Sequence, residues 1–367
     1  SRQAIKKLAV KGGMHFQLSP HDSTAAQIKF FDTNGLSLTK AMERKIEQTY
    51  YREDFKRIKG IDVGETIKMT QTSSLYWEEL LSQLDLTVFA AKRRKILLAY
   101  PTPWLYQYLV PLMQQLNCEV ISISAPEEEP LTLSALQEQF SSMAEAVKQN
   151  AADIGVMMDA NAEKLVLFDK EGSVISDELL TALISAIVFR SKQGGTMVVP
   201  VTAPSIIEKL ANMYQGKVVR TKTAPRAVME ALYTEGTGNA KYDPFVLSFD
   251  ALAAFTKILE YLASEDLELT ELVSSIPPFH VHKRQVDCSW GAKGTVMRRL
   301  IEDSRGDEVE LLDGIKVRHP HGWALVLPDS EKPVYRIYSE GSDAEAAAEL
   351  TDFYAERIKK YQKEILK

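Results

Sequence analysis

The sequence predicts an α/β protein of several domains, with mixed, largely parallel sheets and a small C-terminal α+β domain. Three observations predict it. Short, continuously apolar runs alternate with amphipathic helical segments, a pattern that needs sheets covered on both faces. Pro277-Pro278 is the strongest linker signal, and strands crowd together after it. The 367 residues, 45% hydrophobic and 26% charged, suit two or three domains that each bury a core.

The first segment gives a short helix around Ala4, Ile5 and Leu8, then Gly12-Gly13, then an alternating strand over residues 14–18. A second strand over 27–31 ends at the turn signal Thr33-Asn34-Gly35. Residues 41–58 read as a charged helix with Ile46, Tyr50 and Phe55 on one side. The next helix lines up Trp77, Leu80, Leu81, Leu84 and Val88, with Ser73 or Ser74 as N-cap. Then come strand 96–100, helix 104–116, strand 118–123, helix 133–149 and strand 154–158. The alternation continues as helix 177–189, strand 196–199, helix 204–214, strand 217–220, helix 225–233, strand 245–247 and helix 249–262. Strands near 308–312, 315–318, 323–327 and 334–338 lead to a long final helix. A capping box opens that helix, Ser342 and Glu345 each satisfying the other's free backbone donor.

A net charge of -6, with Lys and Arg dispersed, argues against a nucleic-acid surface. The one dense run, Lys92-Arg93-Arg94-Lys95, reads as the solvated entrance to an apolar strand. Cys118 and Cys288 lack metal-site spacing and are expected to pack as small apolar side chains in a reducing compartment. No run reaches the ~18 uninterrupted apolar residues of a membrane span, and no signal peptide is seen. A cytoplasmic location is the expectation. The chain opens at Ser1 inside a helical pattern, which suggests excision from something longer.

After strand 154–158 the sequence Asp159-Ala160-Asn161-Ala162-Glu163-Lys164 sets three oxygen-bearing side chains at alternate positions. Parallel sheets place functional groups at the carboxyl ends of their strands, and hard oxygen ligands suit Mg²⁺ or Ca²⁺. Alone, such a loop is more often a polar turn. His319-Pro320-His321 sits in a turn, and His280 and His282 alternate along a strand-like stretch; neither pair has a third ligand.

Together with its surroundings, the stretch 152–164 resembles the metal-binding loop of the phosphohexomutases (phosphomannomutase and phosphoglucomutase), Asp-Gly-Asp-Gly/Ala-Asp-Arg. Gly12-Gly13-Met14-His15-Phe16-Gln17-Leu18-Ser19-Pro20 is similar to their phosphoserine loop, Gly-Gly-Ile-x-Ile-Thr-Ala-Ser-His-Asn-Pro, which puts Ser19 on the catalytic serine. Ile28-Lys29-Phe30-Phe31 before Gly35, Asp250 with its helix, Asp313-Gly314-Ile315, Gly322-Trp323-Ala324-Leu325-Val326 and Tyr335-Arg336-Ile337-Tyr338 match further stretches in order. The resemblance runs from about residue 10 to the end. It implies four domains: a partial first α/β domain at 1–66 with the serine loop, a second at 67–172 with the metal loop, a third at 173–276 with the sugar loop, and a C-terminal α+β domain at 277–367 with the phosphate loop. It also implies catalytic roles for Ser19 and Lys164, and metal ligation by Asp159, Asn161 and Glu163. Sugar binding falls to Glu235 and Thr237, and phosphate binding to Ser330 and Lys332.

The loops depart from the family pattern. The phosphate loop Arg-Pro-Ser-Gly-Thr-Glu-Pro is here Leu327-Pro328-Asp329-Ser330-Glu331-Lys332-Pro333. Leucine replaces the arginine fork, and Asp329 and Glu331 accept where hydroxyls should donate. Each carboxylate would repel a phosphate by ~4 kcal/mol at an effective dielectric near 20. Asn161 removes one charge and Glu163 adds a methylene where Mg²⁺ tolerates little misplacement. Lys164 lacks the fork of arginine, and His21 stands one step from the family's flanking histidine. These changes predict degenerate catalysis and weak Mg²⁺ binding. The same pattern resembles the C-terminal module of sugar-nucleotide enzymes in which a mannose-1-phosphate guanylyltransferase, a nucleotidyltransferase, comes first. The implied partners are a sugar phosphate or nucleotide sugar and that N-terminal module, with no nucleic acid and no membrane. The alternatives are an active phosphomannomutase/phosphoglucomutase working through Ser19, and an assembly module that binds no small molecule.

Overall fold

A computed structural model describes residues 2–365, apart from 20, 21, 23, 70, 71, 100–102, 124–136, 160, 193 and 236–240. Their contacts gather into two compact units, one of residues 1–177 with 238–272, the other of residues 178–237 with 273–367.

In the first unit, β1 (Gly13–Leu18) and β2 (Ala26–Phe31) form an antiparallel hairpin. A five-stranded sheet follows, built from β3 (Arg94–Ala99), β4 (Cys118–Ile123), β5 (Ile154–Met158), β6 (Leu165–Asp169) and β7 (Val174–Ile175) in the order β4-β3-β5-β6-β7. The first three in that order are parallel, and β6 and β7 turn back antiparallel. Ile96, Leu97, Leu98 and Ala99 are all buried, as a strand covered on both faces requires. The helix Phe140–Gln149 lies so close to β5 that a Cβ on Gly155 would meet Val147 Cγ2 at 2.5 Å. Arg94 is not the solvated residue expected of the basic run. It is buried and donates to the carbonyls of Leu262 (3.0 Å) and Leu267 (3.1 Å), so the strand entrance is an anchor.

Local hydrogen bonding moves several expected boundaries. The helix Lys40–Tyr51 stops short of residue 58, its end marked by Glu53 at a positive φ of 53°. Ser73 and Ser74 lie inside the helix Thr72–Ser82 rather than capping it. Val88 belongs to a separate 3₁₀ turn, started by Asp85 accepting from the Thr87 amide at 3.1 Å. The expected strand 245–247 is a helix, Pro244–Phe249. Pro244 presets the first φ, and Asp243 caps the Phe245 amide at 2.9 Å, so two start signals outweigh the apolar run. Of the expected helix 133–149, residues 133–136 lie outside the described residues.

The second unit holds a parallel pair, β8 (Thr196–Pro200) and β9 (Lys217–Thr221). It also holds an antiparallel sheet of β10 (His280–Asp287), β11 (Val309–Glu310), β12 (Ile315–His319), β13 (Gly322–Pro328) and β14 (Val334–Gly341), ordered β10-β14-β13-β12-β11. Along the central β13, Ala324 and Val326 pack on Val296 and Leu300 of the helix Trp290–Asp303 and on Tyr354 and Ile358 of the final helix, Ala344–Ile365. Alternate residues Trp323, Leu325 and Leu327 pack on Val201. Period-two geometry thus sends neighbouring apolar residues to opposite faces. His282 Nδ1 lies 2.7 Å from Thr351 Oγ1, and His319 Nε2 lies 3.1 Å from Tyr354 Oη, so both histidines tie strands to the final helix. The cap of that helix is Asp343, which accepts from the Ala346 amide at 2.8 Å, and not the expected Ser342–Glu345 box. Ser342 instead donates to Asp343 Oδ2 at 3.1 Å.

Cys118 and Cys288 are buried, and burial pushes the Cys118 thiol up to about 11. Among the described residues no helix is long and apolar enough to cross a membrane.

Candidate functional site

In the first unit Ser19 follows β1 directly, and its amide donates to the Ala25 carbonyl at 2.8 Å to close the loop into β2. Two residues into the hairpin's inward face, His15 stands opposite Lys29. Burial lowers the His15 imidazole from its ordinary range. Lys29 forms an ion pair with Glu163, in the loop after β5. The serine hairpin and the oxygen-rich loop are therefore joined by a side-chain contact. In the sequence Lys29 stands out only as part of the stretch Ile28-Lys29-Phe30-Phe31. A pair separated by 134 positions leaves no local signal.

The loop itself winds around Asp159. This carboxylate is buried, and its Oδ1 accepts from the amides of Glu163 (2.7 Å) and Lys164 (2.8 Å). The Ala162 amide donates to the Asp159 carbonyl at 3.0 Å, and Ala162 takes a positive φ of 52° to complete the turn. Asn161 is half-buried, Glu163 and Lys164 are exposed, and Lys164 Nζ reaches Asp177 at 3.1 Å. One oxygen of Asp159 is thus used by its own turn, while Glu163 is used by Lys29. Among the described residues no group of three His, Cys, Asp or Glu side chains is placed to hold a metal. These ligands fit a tight Mg²⁺ site poorly, since that ion needs near-ideal octahedral oxygens.

In the second unit Glu235 ends the helix Pro225–Thr234, exposed, and pairs with Lys217 at 2.7 Å. Thr237 and His21 lie outside the described residues. The β13–β14 turn holds the residues expected, from the sequence resemblance, at a phosphate loop. Leu327 is core, 7% exposed. Asp329 Oδ1 accepts from the amides of Glu331 (2.8 Å) and Lys332 (2.9 Å), and its Oδ2 meets Arg336 Nη2 at 2.6 Å. Burial opposes ionisation of Asp329, but the amides and Arg336 outweigh it and hold the carboxyl below the usual range. From beneath, buried Lys293 donates to the carbonyls of Asp329 (2.6 Å) and Lys332, its ammonium 3.9 Å from the Trp290 ring centre. Ser330 and Lys332 are exposed at the tip. Asp329 and Lys293 thus occupy two amides and two carbonyls of the turn.

This is the fold of the phosphohexomutases, and the sequence is similar to theirs. The chain is 28% identical over 343 residues to a phosphoglucomutase/phosphomannomutase of Thermococcus kodakarensis, covering 89% of this chain and 74% of that protein. Its structure is similar to that of a phosphoglucomutase/phosphomannomutase family protein from Burkholderia thailandensis, with a TM-score of 0.78, 18% identity, and coverage of 96% and 77% of the two chains. It is also similar, at a TM-score of 0.54 and 11% identity over 77% and 69% of the chains, to an N-acetylphosphoglucosamine mutase of Aspergillus fumigatus in complex with GlcNAc-6P and magnesium. No family model matches the chain.

Proposed function

We propose that the chain is a phosphohexomutase-like module of a sugar-nucleotide biosynthesis protein, of the mannose-1-phosphate guanylyltransferase/phosphomannomutase type. It is catalytically degenerate and serves ligand binding, regulation or assembly. In this reading residues 1–66, 67–172, 173–276 and 277–367 stand for the family's four domains. Ser19, Lys164, Glu235, Thr237, Ser330 and Lys332 mark the catalytic, sugar and phosphate positions. Mg²⁺ binding at Asp159, Asn161 and Glu163 is weak. The ligand class is a sugar phosphate or nucleotide sugar, in the cytoplasm. A nucleotidyltransferase partner in the same parent chain rests on the sequence resemblance alone.

The observation that carries the degenerate reading is the turn 327–333. Leu327 is packed into the core, and Asp329 takes up two amides and the Arg336 guanidinium. Phosphoryl transfer depends on positioning and on neutralising charge. A turn that presents carboxylates to a dianion works against both. One observation favours the rival reading, an active phosphomannomutase/phosphoglucomutase: the Lys29–Glu163 pair keeps the serine hairpin against the metal loop.

The deciding measurement is intact-mass and peptide mass spectrometry after incubation with glucose 1,6-bisphosphate and Mg²⁺. No phosphate on Ser19, and no interconversion of mannose 1- and 6-phosphates above background, is the expected result. Stoichiometric phosphorylation, with turnover that vanishes in Ser19→Ala, establishes the active mutase instead. Calorimetry with mannose 1-phosphate and GDP-mannose separates ligand binding from assembly.

A further inference from the structure

We propose that Asp329 is a built-in anion: its carboxylate fills a phosphate-monoester site made by the Glu331 and Lys332 amides and the Arg336 guanidinium. This deepens the reading of the β13–β14 turn as an eroded phosphate loop and rests on it. The donor set is the argument. Two adjacent amides reach one oxygen at 2.8 and 2.9 Å, and a guanidinium reaches the other at 2.6 Å from a different strand. Adjacent backbone N–H groups with a facing arginine are the donors that a phosphate dianion takes in protein sites.

The arrangement is more than a closed turn. Asp169 closes a comparable one, accepting from the amides of Glu171 and Ser173, both at 2.9 Å. No cation among the described residues forms an ion pair with Asp169, whereas Asp329 has a guanidinium brought to it. The turn also has a frame that does not depend on this carboxylate. Lys293 holds the carbonyls of Asp329 and Lys332, the Cys288 amide donates to the Pro333 carbonyl at 2.7 Å, and the Asp329 amide donates to the Val334 carbonyl at 3.1 Å. Removing the carboxylate therefore leaves the two amides and the guanidinium in place without their shared carboxylate acceptor. The Arg336 side chain is 50% exposed and that of Asp329 only 7%, so the carboxylate fills the seat while the guanidinium beside it meets solvent. Ser330 and Lys332, exposed beside it, add a hydroxyl and an ammonium. In the native chain the seat is taken by Asp329.

The experiment titrates inorganic phosphate into the full chain, as wild type, Asp329→Ala and Asp329→Asn. Calorimetry reads affinity, and ¹⁵N NMR follows the Glu331 and Lys332 amides. Asparagine still accepts both amides through its carbonyl oxygen, so it blocks the seat without the charge. Asp329→Ala is expected to bind phosphate roughly tenfold more tightly than wild type or more, the scale of one charge-assisted hydrogen bond, with both amides shifting. Asp329→Asn is expected to gain little. If thermal melting reports that the alanine variant is unfolded, Asp329→Ser takes its place, serine being the residue at this point of the family's loop. Unchanged phosphate affinity in the folded Ala or Ser variant overturns the proposal. So does wild type binding phosphate through those two amides as tightly as the variant. None of these readouts uses turnover, so a failure here leaves the Ser19 experiment standing, and phosphorylated Ser19 leaves the phosphate titration standing.

Discussion

Leu327, where the sequence resemblance leads one to expect an arginine, is a core residue, 7% exposed. It lies with Val201, Trp323 and Leu325 in a closed apolar cluster. An arginine here places a guanidinium into a packed apolar cluster that already borders the buried ammonium of Lys316. An unpaired buried charge costs about 3–5 kcal/mol. Leu327→Arg is expected to lower the urea-derived stability by that amount and to leave phosphate binding unimproved. A variant as stable as wild type, with phosphate affinity gained, would mean that the side chain turns out of the core. From sequence, the missing arginine was plain, but the fate of the leucine was not. Five consecutive apolar residues, from Trp323 to Leu327, do not say which of them faces which layer.

Elements were legible where periodicity was long and caps were simple. The apolar strands β3, β5 and β8 announced sheets with two covered faces, and they form as expected. The two-residue β7 has no period to read, and β6 follows a loop that looked chemical rather than structural. Around 342–345 the sequence pointed to a Ser342–Glu345 box, and the structure caps the helix with Asp343 instead. Asp343 accepts from the Ala346 amide, which holds its carboxyl below the usual range. A depressed folded-state value means the contribution is complete above the unfolded pKa of about 3.9 and fades as pH falls through the folded one. Asp343→Ala is thus expected to lower the melting temperature at neutral pH, with the gap to wild type closing under acid. Ser342→Ala is expected to melt as wild type does. Equal losses in the two variants, or a gap that persists once Asp343 is protonated, would restore the capping box.

At the scale of the molecule, the departures from the family are spread over both compact units. Asn161 and Glu163 stand in one, Leu327 and Asp329 in the other. Losses in successive requirements of one reaction multiply as rates, because they add as activation free energies. Repair of one set should then recover binding at that set and nothing downstream. Asn161→Asp with Glu163→Asp restores a formal charge, shortens the displaced carboxylate and releases it from Lys29. Mg²⁺ affinity by calorimetry is expected to rise about tenfold, consistent with the ion's demand for well-placed hard oxygens. Mannose 1-phosphate turnover in a coupled assay is expected to stay at background, since the β13–β14 turn still presents Asp329 and Glu331. Turnover appearing in this double variant would count against the proposed degeneracy of the turn 327–333 and make its departures a tolerated variation.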